Sequence, residues 1–503
     1  MAQKRGQVMG KLGRRAVVFG AGAAAGVAGA KWLKSDVPVL AGTRSIAPQG
    51  RVNTMNDASG LSETPVAKHV ILTDDSGESL VAALRAELKE AASEGRPVNL
   101  GAARHSMGGQ AIPREGTAIS YRNPFVELDT GAQTYRAHAG ARWYEVIAAL
   151  DPAGFGPAVM QSNSDFGLAA TFSVNAHGWP VPYGPMGSTV REVTMVLPDG
   201  ELVTASRTEN AELFAMAMGG YGLVGLITEM VVDMVPNQRL VPSFRRMEAE
   251  AFAPAFRAAV DSPDVPMAYG RLNVGRAEFV TEALLITYGT DPESTEIPPA
   301  EYASGFTSRA AARLYRWQLG NERMKRARWW TESRFAPMLA GAANRNALMN
   351  EPVVTLDDGD AARTDILHEY FVPFDRFSDF LQVCRAVIPA SYQEFLNVTL
   401  RFVDTDTTSW LSYARVPRIA AVMSFSQEMT ARGEADMARM TRALIEGINA
   451  IGGAYYLPYR PHATLDQLHT AYPRAAEFAA RKREIDPGLL LRNNLWDTYL
   501  GEL

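Results

Sequence analysis

The sequence predicts an α+β protein of two domains, on three observations. At 503 residues the chain is about three times the roughly 150 residues of one domain, so two domains sharing a long interface are expected. In its first half, short apolar runs of strand character lead into loops bracketed by glycine. After residue 240, strand patterns at Phe371-Val372-Pro373, 398–403 and 419–425 alternate with helical ones such as 431–450, as helices packed on a sheet require. With 47% hydrophobic and 21% charged residues the chain can bury a large core, which excludes global disorder and a polytopic membrane protein. A net charge of -5 and a pI near 5.9 argue against nucleic acid as a partner.

The first 35 residues form a separate regime. Lys4, Arg5, Lys11, Arg14, Arg15, Lys31 and Lys34 all precede the first acid, Asp36. Gly20-Ala21-Gly22-Ala23-Ala24-Ala25 contains G-x-G-x-x-A, but a dinucleotide fold needs a second strand ending in an acid about 20 residues on. Lys31-Trp32-Leu33-Lys34 and a Pro-, Gly- and Ser-rich stretch stand there instead. A basic start, an apolar run over residues 16–30 and the small Ala28-Gly29-Ala30 site read as an export signal. The pair Arg14-Arg15 resembles the twin-arginine type, which implies periplasmic export of a folded chain; a retained membrane anchor is the alternative. Residues 36–65 read as a linker.

Order is expected from Lys68-His69-Val70-Ile71-Leu72 onward. A helix follows with Leu80, Val81, Leu84 and Leu88 on one face and Gly95 as its stop. Pro97-Val98-Asn99-Leu100 then feeds Gly101-Ala102-Ala103-Arg104-His105-Ser106-Met107-Gly108-Gly109-Gln110, whose glycines let backbone N–H groups converge on an anion. A second loop rich in small residues runs from Ser162 through Asp165, Ala169, Thr171, Ser173, Asn175 and His177 to Gly178. Residues 190–197 and 202–204 flank Pro198-Asp199-Gly200 as a hairpin, Thr208 is placed to cap a helix stopped at Gly219-Gly220, and the run through Gly225 and Ile227 enters another strand.

Taken in order, the His-Ser glycine loop, Ala-Thr-x-Ser-x-Asn-Ala-His-Gly, the Asp-Gly hairpin, Glu-Asn-x-Glu-Leu-Phe and Gly-Gly-Tyr-Gly-x-x-Gly-x-Ile resemble the FAD-binding domain of flavoenzymes of the vanillyl-alcohol oxidase type. Tyr472-Pro473-Arg474 through Asp486-Pro487, Leu491, Asn493 and Trp496 to Tyr499 looks like the C-terminal segment that returns to that domain. The resemblance implies a two-subdomain PCMH-type FAD-binding domain over residues 66–240, completed by 456–503 and interrupted by an α+β substrate (cap) domain with an antiparallel sheet at 241–455. It implies FAD, with the pyrophosphate at Gly101, Ala102, Ala103, Arg104, His105, Ser106, Met107, Gly108 and Gln110. The isoalloxazine would reach toward Ser162, Asp165, Ala169, Thr171, Ser173, Asn175, His177 and Gly178, with Gly225, Ile227 and Asn493 completing the cofactor site. His105 stands where many members attach the flavin covalently; it would otherwise hydrogen-bond the loop. His177 is expected to brace backbone near the ring.

His368-Glu369-Tyr370-Phe371-Val372-Pro373 and Asn397-x-Thr-Leu-Arg401 resemble the substrate domain of aldonolactone and alditol oxidases. Arg401, a charge in an apolar strand pattern, would orient substrate or stabilise an alkoxide, or else form a buried structural ion pair. Tyr459-Arg460-Pro461-His462 is similar to the Arg-Pro-His that precedes Trp-Gly-Lys in aldonolactone oxidases, but Ala463-Thr464-Leu465 follows here. His462 is a candidate base or an interface histidine. The expected reaction is oxidation of a hydroxyl-bearing small molecule by hydride transfer to flavin N5, with dioxygen or another acceptor reoxidising the flavin. Action on C–C or C–N bonds is the alternative, and a non-catalytic binding protein on the same fold a more distant one. The basic segment 308–330, with interleaved tryptophans, could touch a membrane surface peripherally. Cys384, the one cysteine, reads as core, and no histidine spacing suggests a metal.

Overall fold

A computed structural model describes residues 44–291, 294, 296–297, 316–351 and 362–503. The export or anchor segment 1–35 lies outside these residues, as does the basic segment before Arg316. Four sheets organise the rest. A short ladder pairs β1 (Thr54–Met55) with β2 (Thr64–Pro65). A parallel sheet orders β3 (Lys68–Leu72), β5 (Thr117–Tyr121) and β4 (Val98–Leu100), with β5 in the middle. Its strands are joined through α1 (Glu78–Ser93), which buries Leu80, Val81, Leu84 and Leu88 as the 3/4 spacing predicts. Gly95 follows that helix at a φ of +65°, the left-handed turn that glycine adopts without strain.

The next sheet is antiparallel, running β10 (Leu202–Ser206), β9 (Val190–Val196), β11 (Leu226–Pro236), β7 (Thr134–His138) and β6 (Val126–Asp129), with β8 (Phe155–Pro157) paired to the far end of β11. The β9–β10 hairpin forms around Gly200 at φ +88°. The helix after it differs from expectation. It runs Ala211–Ala217 with Asn210 at its N-cap, while the Ser206 hydroxyl, not Thr208, receives the N–H groups of Thr208 and Glu209. An ST-turn thus absorbs the residues that resembled a cap.

The largest sheet, β15 (Ala343–Asn344), β12 (Arg239–Glu248), β14 (Glu282–Thr290), β13 (Met267–Leu272), β17 (Glu394–Val403), β18 (Arg418–Glu428), β16 (Arg363–Pro373), β19 (Ala454–Tyr455), is antiparallel throughout. The helix Ala431–Ala450 buries Met437, Met440, Leu444, Ile445 and Ile448, and Phe377–Val387 buries Cys384 among phenylalanines. The C-terminal segment reaches the parallel sheet: Val98 N–H donates to the Leu490 carbonyl at 2.6 Å and Arg492 N–H to Val98 O at 3.1 Å.

One expectation is corrected. The described part of the linker, residues 44–65, is built into the molecule, with Ser59 fully buried and Thr64 nearly so. The described part of the basic segment turns several of its cations inward. Its described helix is Glu322–Trp330, in which buried Lys325 lies 3.0 Å from Glu394 and Arg328 donates to the Leu396 carbonyl, while Arg316 pairs with Asp365. A buried cation is tolerated only when paired. No helix among the described residues is long and apolar enough to cross a membrane.

Candidate active site

The glycine loop leaves the parallel sheet at Gly101, whose N–H donates to Ile119 O and whose carbonyl accepts the Ser120 hydroxyl at 2.8 Å. None of the five backbone N–H groups of residues 102–106 has an acceptor among the described residues. Arg104 Nε and His105 Nδ1 are buried without partners as well. Buried donors are nearly always satisfied, so the unpartnered Arg104 and His105 nitrogens, beside a row of half-buried free amides, mark a place for an anionic group. A pyrophosphate-bearing cofactor fits it. The His105 ring lies over Phe166 of the second loop at 4.3 Å between centroids, and burial holds its pKa below the ordinary imidazole value, so it is neutral at pH 7.

Downstream the loop is scaffold. Met107 N–H donates to Pro458 O at 2.7 Å, and Gln110 spends both ends of its amide, accepting from Gly108 N–H and donating to the Leu457 and Tyr459 carbonyls. A methyl group on Gly108 would sit 2.8 Å from Pro461 Cδ and 2.9 Å from Tyr459 O. Gly108 serves close packing against 457–461, and Gly109 leaves room for the Asn494 side chain.

The same division runs through the second loop. Thr171 accepts from the Trp143 indole at 2.8 Å and lies 2.9 Å from both Gln161 Oε1 and Gly167 O. Asn175, at φ +45°, spans from Asp406 to Gly187 N–H. A Cβ on Gly178 would strike the Met160 carbonyl, and one on Gly225 would meet Met195 Sδ at 2.7 Å. Ala169 and Ile227 are buried in the core. Asn493 caps Leu495 and Trp496 with its oxygen and donates its NH2 to Tyr221 O, so it is a structural cap and not a free cofactor ligand. Ser162 faces the cap sheet, where Arg401 donates to its hydroxyl at 2.6 Å. Asp165 accepts from Arg142 through its carbonyl, and the Ser173 carbonyl accepts from Tyr221 N–H.

His177 does not brace backbone. Its Nε2 bonds the Glu369 carboxylate of β16, both groups being buried, and the other Glu369 oxygen accepts from the Tyr459 hydroxyl at 3.3 Å. Glu369 and Arg401 stand on one face of the cap sheet. Glu369 pairs with Val422 and Val422 with Thr399, two residues before Arg401, and residues two apart share a face. Burial lowers the Arg401 pKa, while Glu369 and Tyr459 act against that shift, and its Nε has no partner. Arg271, in register with Thr399, donates to its hydroxyl at 2.8 Å and pairs with Glu332 at 2.7 Å. The face beyond Arg401 thus sets this charge-paired group beside an aromatic one, since Tyr269, in register with Arg401, packs edge-on against Trp179.

His462 is not part of this constellation. It bonds Glu434 at 2.8 Å and Thr441 at 3.2 Å, and Thr441 also contacts His368. His368 and Glu369 are consecutive in β16, so they point to opposite faces. Of the two roles expected for His462, candidate base and interface histidine, this placement fits the second, since it lies on the His368 face of the sheet, away from Arg401. Sequence reasoning missed Glu369 and Tyr459 as site residues. The signal that singled out Arg401, a charge within an apolar strand, was also present at Glu369.

Comparison with known proteins bears on the loops. Residues 80–206, which contain both, match the family described as FAD binding domain. This segment binds FAD. Cytokinin dehydrogenase 1 of Arabidopsis thaliana is 29% identical to the chain over 146 residues, 28% of the chain and 25% of that protein. Cytokinin dehydrogenase 8 of rice (Oryza sativa subsp. indica) is 29% identical over 205 residues, 38% and 37% respectively. Alditol oxidase of Streptomyces sp. is 30% identical over 110 residues, 22% and 26%. The chain thus spans about a quarter to two-fifths of the length of these curated relatives. A solved solvent-stable cholesterol oxidase superposes with a TM-score of 0.67 over 93% of the chain and 100% of its own, at 15% identity. That likeness carries the fold alone. The expected α+β architecture around the FAD-binding segment is the fold found.

Proposed function

We propose that the protein oxidises a polar, hydroxyl-bearing small molecule such as a sugar, polyol, lactone or aromatic alcohol. The observation that carries this reading is the convergence of Arg401, Glu369 and Tyr459 on the sheet face that meets the second FAD loop. Bound FAD supplies a hydride acceptor. Arg401 holds the substrate oxygen and stabilises charge that develops on it. Tyr459, partly exposed, is the group that meets the substrate hydroxyl, and the Glu369–His177 pair behind it takes the proton. The charge-paired groups at Arg271, Thr399 and Glu332 offer hydrogen-bond partners to a hydroxylated substrate, beside the Trp179–Tyr269 pair on which a ring could pack.

His105, neutral and without a partner at Nδ1, is positioned to carry the flavin covalently, and dioxygen or another small acceptor reoxidises it. Export as a folded, loaded enzyme to the periplasm accords with Arg14-Arg15 and the apolar run behind them. Purified protein should be yellow, and acid precipitation should carry the colour into the pellet. His105→Ala should leave it in the supernatant. Anaerobic bleaching by a panel of polyols, lactones, phenolic alcohols and amines tests the substrate class; bleaching by amines alone contradicts hydroxyl oxidation.

A further inference from the structure

The centre of the FAD loop is held by very few contacts of its own. Arg104 sits at φ +54°, a conformation that costs a non-glycine residue about 1–2 kcal/mol and persists only where neighbours over-determine it. Its neighbours in the loop cannot do so, because none of the amides of 102–106 is engaged. Among the described residues, one backbone bond reaches that stretch: Ala58 N–H donates to the Arg104 carbonyl at 3.1 Å. Ala58 belongs to the tip of the β1–β2 ladder, in the segment that reads as a linker.

Asp57 fixes this tip to the loop. One carboxylate oxygen accepts from Gly109 N–H at 2.8 Å, and the other accepts from Ser59 N–H at 3.0 Å and the Ser59 hydroxyl at 2.5 Å. The Ser59 carbonyl in turn accepts the Thr364 hydroxyl of β16 at 2.7 Å, and Asn56 closes the tip by bonding Gly60 O and Ser62 N–H. The tip is therefore rigid, tied to the strand that carries Glu369, and bonded to the loop on both sides of His105.

We propose that Asp57 is a positioning residue for the cofactor. It holds Ala58 N–H against Arg104 O, which keeps Arg104 left-handed and turns the free amides of 102–106 toward the FAD pyrophosphate. This rests on FAD occupying the loop and not on the identity of the substrate.

The test uses full-length His105→Ala protein, in which any flavin is exchangeable, with and without Asp57→Ala or Asp57→Asn. FAD affinity, the visible circular dichroism of bound flavin and the thermal midpoint of the apoprotein are measured. Asp57→Ala is expected to weaken FAD about tenfold, as loss of charge-assisted bonds to the loop implies. It should also change the flavin dichroism, and weaken FAD by more than any fall in the apoprotein midpoint accounts for, with Asp57→Asn, which keeps one acceptor oxygen, in between. Equal affinity and dichroism overturn the proposal, as does an FAD loss matched by a lower apoprotein midpoint, since the tip would then serve the fold alone. Should His105→Ala retain no FAD, the flavin-to-protein absorbance ratio of Asp57→Ala in the otherwise native chain decides: a reduced ratio supports the proposal and an equal one overturns it. A native chain that holds FAD while its Asp57→Ala variant matches it contradicts this proposal and leaves the substrate reading intact.

Discussion

The chemistry of single residues here depends on which face of one strand they occupy. Glu369 and His368 differ by one position in β16, yet the first joins His177, Tyr459 and Arg401 while the second joins Thr441 and His462. Arg401 was legible because a cation in an apolar strand needs a reason to be there. The role of His462 stayed open in the sequence because its neighbours in the chain resemble a catalytic motif, whereas its neighbours in space are Glu434 and Arg460. Against the cost of its burial, the hydrogen bond from His462 and the charge of Arg460 hold the Glu434 carboxyl far below the usual carboxylate range. A depressed carboxyl contributes stability that is complete above its unfolded pKa of about 4.3 and is lost as pH falls through its folded value. Removing His462 should therefore cost about 1–3 kcal/mol at pH 7 and flatten the acid loss of stability below about pH 4. Urea unfolding of His462→Ala at several pH values checks this. Its rate of flavin reduction by substrate should remain near that of the native enzyme.

Among the elements, periodicity and turn chemistry identified the local ones well. The α1 face, the β9–β10 hairpin, the long helix Ala431–Ala450 and strands β16 to β18 all lie where apolar spacing and Asp-Gly placed them. What failed was whatever depends on distant partners. The tip of the β1–β2 ladder is rich in Asn, Ser, Gly and Asp because it makes turns, and the same composition reads as a linker when its partners at 104–109 and Thr364 are unknown. The basic helix misled for the same reason, since nothing near Lys325 in sequence announces Glu394. Lys325→Ala should destabilise the protein by about 3–5 kcal/mol by stranding a buried carboxylate. Arg326→Ala, one residue on and exposed, should stay within about 0.5 kcal/mol. Equal losses in chemical denaturation would contradict this division of the helix.

At the scale of the whole molecule, the candidate active site is a seam between layers made far apart in the chain. The FAD loops come from residues 101–110 and 162–178, the proposed substrate face from β16 and β17, and the support beneath the glycine loop from 457–461. Motif order anticipated the FAD part, because its loops are local and rich in glycine. The substrate face was only half legible, since its members share no local pattern and meet through sheet register. The central claim is that Glu369, backed by His177, takes the proton of a hydroxyl substrate oriented by Arg401. Anaerobic stopped-flow reduction of the flavin by a reactive polyol or alcohol, in native and Glu369→Gln protein, tests it most directly. Bleaching by the hydroxyl substrate, slowed about 10²–10⁴-fold in Glu369→Gln with the flavin still bound, is the predicted result. Equal rates in the two proteins, or a flavin bleached by NAD(P)H and by no hydroxyl compound, would contradict it.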